Sequence, residues 1–178
     1  MTDYILLLRG INVGGHHKVN MAILKNQLTE ASFEVVTSYI NSGNFLFSSD
    51  LPEKEIISRI SSILESDYDF SIPFLLLKKA DYQEEFSQLP DWWSNDHFRK
   101  NVLFFLPTLD QESIERFMNQ VDLKAGESLY RGQLALYWTI DKEENYAKSY
   151  YHSQLAKQKL YKEVSVRNGK TSLYLATN

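Results

Sequence analysis

Cysteine is missing from this 178-residue sequence. Disulfides, cysteine-based zinc fingers and thiolate catalysis are therefore excluded. No apolar run approaches the ~20 residues of a membrane-spanning helix, so no membrane partner is expected. The opening Met1-Thr2-Asp3-Tyr4 carries no basic stretch of the kind that starts a secretory signal. These absences together place the expected location in the cytoplasm. The histidines, His16, His17, His97 and His152, show no metal-ligand spacing, and no metal is expected. No Ser-His-Asp or nucleophile-elbow arrangement can be read, and spacing nominates no acid–base pair of carboxylates. The sequence thus points to no catalytic residue and to no cofactor.

What is present describes a globular protein. Hydrophobic residues make up 43%, charged residues 24% and aromatics 13%, enough bulk for one core or two modest ones. The net charge of −4 disfavours broad nucleic-acid binding, but it is unevenly spread. Between Asn145 and Asn178, Lys148, Lys157, Lys159, Lys162, Arg167 and Lys170 face Glu163 alone. A solvated helix face with snorkelling lysines accounts for that excess, and an anion-facing surface is the sharper reading.

Hydrophobic periodicity sets the order of elements. Tyr4–Arg9 has the length of a buried strand, and Met21, Leu24 and Leu28 mark a helix with Asn20 as its N-cap. Phe33–Ile40 and Phe45–Phe47 read as strands joined by the turn Asn41-Ser42-Gly43. Ile56, Ile60, Ile63 and Leu64 stripe a second helix over 53–67, and Phe74–Leu77 is a further strand. The order then repeats. Val102–Leu106 is a strand, Asp110–Gln120 a helix, and Glu127–Tyr130 pairs with Gln133–Ile140 across Arg131-Gly132. Asn145–Leu160 is expected to be one helix, with the last strand at Glu163–Val166 or Thr171–Leu175 and a hairpin turn at Asn168-Gly169. The fold class is α+β: tandem βαββαβ units forming two ferredoxin-like halves with mainly antiparallel sheets. The expected boundaries are 1–80, a connecting segment 81–100 that holds Trp92-Trp93, and 101–178.

Only seven glycines occur, and Gly10, Gly14 and Gly15 fall in a single loop. Arg9-Gly10-Ile11-Asn12-Val13-Gly14-Gly15 follows a strand and precedes a helix, the setting of a phosphate-cradling turn. Arg9 and Lys18 supply cations for charge-assisted hydrogen bonds. The Gly-Lys-Ser/Thr ending of a Walker loop and the glycine spacing of a dinucleotide site are both absent. A wide turn with glycines at positive φ competes equally with the anion site. Tyr39–Phe47 is the second glycine-centred stretch, where Asn41, Ser42 and Asn44 suit either turn chemistry or ligand contact. Arg167, beside Asn168-Gly169, could complete an anion site.

These segments resemble a family. Leu6–Gly15 with Lys18, then Tyr39–Phe47, then Arg167-Asn168 before Thr171 are similar to the domain-of-unknown-function 1697 family of uncharacterised bacterial proteins. Its members open with an LLRGINVGG-like run, continue through a Tyr-x-x-Ser-Gly-Asn hairpin and end near Thr-x-Arg-Asn-Trp-x-Thr. Here Gly169 stands at the tryptophan position and Val166 precedes Arg167. The resemblance implies an α+β protein of ferredoxin-like parts and supplies no activity.

Three functions compete. The first is binding of a small anion, a nucleotide or phosphorylated metabolite, through Arg9, Gly10, Asn12, Gly14, Gly15, Lys18, Asn41, Ser42, Asn44 and Arg167. The second is a non-catalytic interaction or oligomerisation module in which glycines and tryptophans are structural. The third is single-stranded nucleic-acid binding on a sheet face through Tyr39, Phe45 and Phe47 with the basic C-terminal segment. Oligomeric state is not legible.

Overall fold

The computed structural model describes residues 1–178 as two compact units, Met1–Asp81 and Tyr82–Asn178. In the first unit β1 (Thr2–Leu8), α1 (Met21–Glu30), β2 (Glu34–Tyr39), β3 (Asn44–Ser49), α2 (Glu53–Asp67) and β4 (Phe74–Lys78) follow the expected order. They form an antiparallel sheet of order β2-β3-β1-β4, the ferredoxin-like arrangement. β1 is central and buried from Tyr4 to Leu8, which explains its unbroken apolar run. Tyr4 pairs with Phe47 and Leu6 with Phe45 across the ladder. Tyr4, Leu6 and Leu8 point to the helical side, where they meet Leu24 and Leu28 of α1 and Ile56, Ile60 and Leu64 of α2. The edge strand β2 carries a bulge between Glu34 and Thr37, with Val35 exposed at φ 51°, a device that interrupts edge pairing.

The second unit repeats the sheet. α3 (Lys79–Ser87) spans the boundary, and a 3-10 turn over Asp91–Ser94 leads into β5 (Arg99–Phe105). α4 (Gln111–Gln120), β6 (Glu127–Arg131), β7 (Ala135–Ile140) and β8 (Val164–Asn168) follow, in the antiparallel order β6-β7-β5-β8. Its core gathers Leu103, Phe105, Ile114, Phe117, Leu136, Trp138 and Ile140. Trp93 packs edge-on to Tyr137 at 5.6 Å, so it anchors its turn to the sheet.

Two expectations fail here. Asn145–Leu160 is not one helix but α5 (Glu143–Tyr146), α6 (Tyr150–Ser153) and 3-10 turns over Leu155–Lys157 and Lys159–Glu163. Ser149 opens a new turn by accepting from the His152 N–H, and the Glu127 carboxylate accepts from the Tyr150 and Tyr151 N–H groups. The buried anchors Tyr150, Leu155 and Leu160 recur every five residues, a spacing that no straight α-helix can bury on one side. Likewise Asn168-Gly169 makes no hairpin. The Asn168 side chain accepts from the Thr171 N–H and caps α7 (Gly169–Thr177), so Thr171–Leu175 is helical and Val164–Asn168 is the last strand.

Burial pushes the hydroxyls of Tyr82, Tyr137 and Tyr151 well above the ordinary phenol value. The folded chain keeps these protons where the unfolded chain, with phenols near ~10, releases them. Their contribution is intact below pH ~10 and is lost above it. Arg167, pulled down to about 10 by burial, works in the opposite direction. With the three raised hydroxyls against the lowered Arg167 and Lys100, the urea midpoint is expected to fall between pH ~9.5 and ~11.5. A midpoint that stays level or rises across that range contradicts this account. No helix is long and apolar enough to cross a membrane.

Candidate functional site

The glycine loop is a miniature hairpin. The Asn12 N–H donates to the His17 carbonyl at 3.0 Å, and the His16 N–H donates to the Val13 carbonyl at 2.9 Å. Gly14 (φ 58°) and Gly15 (φ 76°) occupy the two central positions, both left-handed as a tight two-residue hairpin turn requires. A Cβ at Gly15 would meet nothing within 4 Å, so conformation rather than space calls for glycine there. The His17 ring stacks on Phe70 at 4.4 Å, and its Nδ1 lies 3.1 Å from the Gly10 carbonyl.

Asn12 ties this hairpin to its surroundings. Its Nδ2 donates to the carbonyls of Val19 at 3.0 Å and Asn41 at 2.8 Å, while its Oδ1 accepts from the Val19 N–H at 2.8 Å. The loop is thus sewn both to the start of α1 and to the turn between β2 and β3. That turn is held from within: the buried Asn44 amide donates to the Tyr39 carbonyl and to the Ser42 Oγ. Asn20 caps α1, and its Oδ1 accepts from the N–H groups of Ala22 and Ile23. Two of the N–H groups expected to cradle an anion are therefore already engaged by the cap.

Between these parts lies a hollow of about 550 Å³ lined by Asn12, Gly15, Lys18, Val19, Asn20, Met21, Ala22 and Asn41. Of the predicted residues, Asn12, Gly15, Lys18 and Asn41 line it. Lys18 is exposed and is the one charged side chain of the wall, and no acidic residue occupies the first turn of α1. Arg9, Gly10 and Gly14 belong to the same loop without lining the hollow, and Ser42 and Asn44 act inside the neighbouring turn. Arg167 lies in the second unit on β8, 6% exposed, with its guanidinium donating to the Ser165 Oγ at 2.9 Å and the Val166 carbonyl at 3.0 Å. Sequence reasoning missed Val19, Met21 and Ala22 as wall residues. The available signal was the Asn20 cap, which fixes where the helix begins. No three His, Asp or Glu side chains cluster in a way that could hold a metal ion.

Phe45 and Phe47, two of the three proposed stacking residues, are 0% and 2% exposed under the helices, and the third, Tyr39, is half-buried. Those two phenylalanines offer no face to a nucleotide base, which leaves Tyr39 alone of the aromatic set.

These features define an α+β protein of two ferredoxin-like halves, with a sewn glycine hairpin at the end of its first central strand. The chain belongs to the DUF1697 family, proteins of unknown function, whose model matches residues 1–137. A solved structure, described as that of the conserved bacterial protein SP0830 from Streptococcus pneumoniae, is similar along nearly its whole length. It is 39% identical, with a TM-score of 0.92 over 98% of this chain and 97% of that one. A search of curated proteins returns no match.

Proposed function

We propose that the first unit binds a small anion, a nucleotide or phosphorylated metabolite, in the hollow beside the glycine hairpin. The observation that supports this reading is the wall itself, in which amides and backbone surround Lys18 and no carboxylate intervenes. The positive end of α1 adds to that bias, since its first turn carries no acidic residue. Asn12 and Asn41 shape the hollow, and Lys18 supplies the charge.

The test is a thermal-shift series with inorganic pyrophosphate, ATP and glucose 6-phosphate. A ligand at 100 times its Kd stabilises by about 2.7 kcal/mol, a shift readily measured. At least one of these probes is expected to raise the melting temperature, and Lys18→Ala is expected to remove that rise without lowering the unliganded value. An unmoved melting temperature across the series, or a pyrophosphate rise that survives Lys18→Ala, overturns the proposal. The engaged state of Asn12, Asn20 and Asn44 favours the second reading, a scaffold loop, and that reading is what a silent series would support.

A further inference from the structure

A concavity larger than that hollow lies wholly in the second unit and was not foreseen from the sequence. It has a volume of about 730 Å³, within the range of sites that hold small ligands. Three cations line it, Arg99, Lys100 and Lys170, and no carboxylate is among the lining residues. None of the three has an ion-pair partner. The pairing of Asn101 with Asn168 brings Lys100 beside the start of α7. There a Cβ on Gly169 would come within 2.9 Å of the Lys100 Cβ, so the bare glycine leaves room for the lysine stem.

Phe86, Trp93, Phe98 and Leu173 make much of the remaining wall apolar. Lys100 Nζ sits 5.2 Å from the centre of the buried Trp93 ring, and burial lowers the Lys100 pKa although Asp96 pulls it the other way. Phe98 and Leu173, 40% and 51% exposed, form an open flank of the same concavity. An exposed phenyl ring and an exposed leucine beside cations without ion-pair partners match a ligand with a flat body and an anionic end. His97 adds a third element. Its Nε2 lies 2.7 Å from the Trp92 carbonyl, which requires the proton on that nitrogen. Nδ1 is then an acceptor, and it is buried with no partner. His97 lines the concavity, and buried acceptors of this kind are rarely left unpaired.

We propose that this concavity binds a ring-bearing organic phosphate of mononucleotide size, its phosphate between Lys100 and Lys170 and its ring against Phe98 and Leu173. The site is independent of the hollow in the first unit, and either can fail alone. Titration of the full chain with AMP, followed by tryptophan fluorescence and confirmed by equilibrium dialysis, is expected to saturate. Adenosine, which lacks the anion, and inorganic phosphate, which lacks the ring, are each expected to bind at least about tenfold more weakly. Lys100→Ala and Lys170→Ala should each weaken AMP by about tenfold while the circular dichroism spectrum stays that of the parent. Lys18→Ala should leave AMP binding at this site unchanged. The proposal is overturned by failure of AMP to saturate in the millimolar range, or by adenosine or phosphate binding as tightly as AMP. AMP binding that responds to Lys18→Ala and not to the Lys100 and Lys170 changes also overturns it.

Discussion

Replacing Gly43 with alanine is expected to lower the stability of the first unit by about 2–5 kcal/mol, with left-handed strain and overpacking both contributing. Gly43 is buried at φ 86° in the turn between β2 and β3, and its carbonyl accepts from the Leu8 N–H at 2.9 Å. An added Cβ would come within 2.7 Å of the Leu8 Cβ and 3.0 Å of the Ile11 Cδ1. Neither neighbour can give easily, because both are packed into the core at the end of β1. Gly15→Ala is the internal control. It also has a left-handed φ but faces open space, so its cost is the conformational part alone, about 1–2 kcal/mol. The sequence's three tryptophans, Trp92, Trp93 and Trp138, all lie in the second unit, so far-ultraviolet circular dichroism rather than fluorescence should follow this unfolding. A Gly43→Ala midpoint no lower than that of Gly15→Ala would sink the packing argument.

The second large effect concerns Glu85. Its carboxylate on α3 accepts from the Gln133 N–H at 2.8 Å, the Leu134 N–H at 3.0 Å and the Tyr137 hydroxyl at 2.9 Å. One side chain thus closes the turn between β6 and β7 and satisfies a fully buried phenol. Glu85→Ala leaves these donors without their acceptor and is expected to cost about 3 kcal/mol, since hydrogen bonds to a charged group carry about 1.5–3 kcal/mol each and the site is partly solvated. Glu85→Gln keeps one acceptor oxygen and should cost clearly less. Tryptophan fluorescence in urea reads this unit directly through Trp93, which touches Tyr137. If Glu85→Ala unfolds at the same urea concentration as the parent, the carboxylate is not what holds the turn. In a double-mutant cycle, Tyr137→Phe should cost much less in the Glu85→Ala background than in the parent, because the shared hydrogen bond is already gone.

Most elements were legible because each carried a strong local signal. The stripe Ile56, Ile60 and Leu64 has the helical period, and the run Tyr4–Leu8 has the length and apolarity of a central strand. Asn20 reads as a cap and acts as one, and Asp110, read as the first residue of its helix, caps it. The segment 145–160 misled because lysines and the apolar side chains of Tyr146, Tyr150, Tyr151 and Leu155, spaced near a helical turn, imitate an amphipathic helix. The Glu127 carboxylate, some twenty residues earlier in the chain, seizes the Tyr150 and Tyr151 N–H groups and forces a new turn. Asn168-Gly169 misled for a related reason. The same dipeptide suits a hairpin turn or a helix cap, and the buried spacing of Thr171, Ser172, Leu175 and Ala176 decides for the cap. Of the loop, composition showed that glycine conformations were needed. It did not show that Asn12 spends its whole amide on Val19 and Asn41, because those partners are fixed only when the hairpin turn of β2 and β3 folds against the loop.

By itself, then, the sequence determined the α+β class, the tandem βαββαβ order, the family and the place of the glycine loop. Each rests on local periodicity, short motifs or turn chemistry, which act over a few residues. The tertiary structure alone decided which side chains meet. It split the predicted set between the hollow and its supporting turn, put Arg167 in the interior of the second unit, and gathered Arg99, Lys100, Lys170 and His97 around one concavity. Strand pairing is the physical reason. The register that sets Asn101 opposite Asn168 joins residues some seventy positions apart, and no local pattern in a single sequence records such a partner.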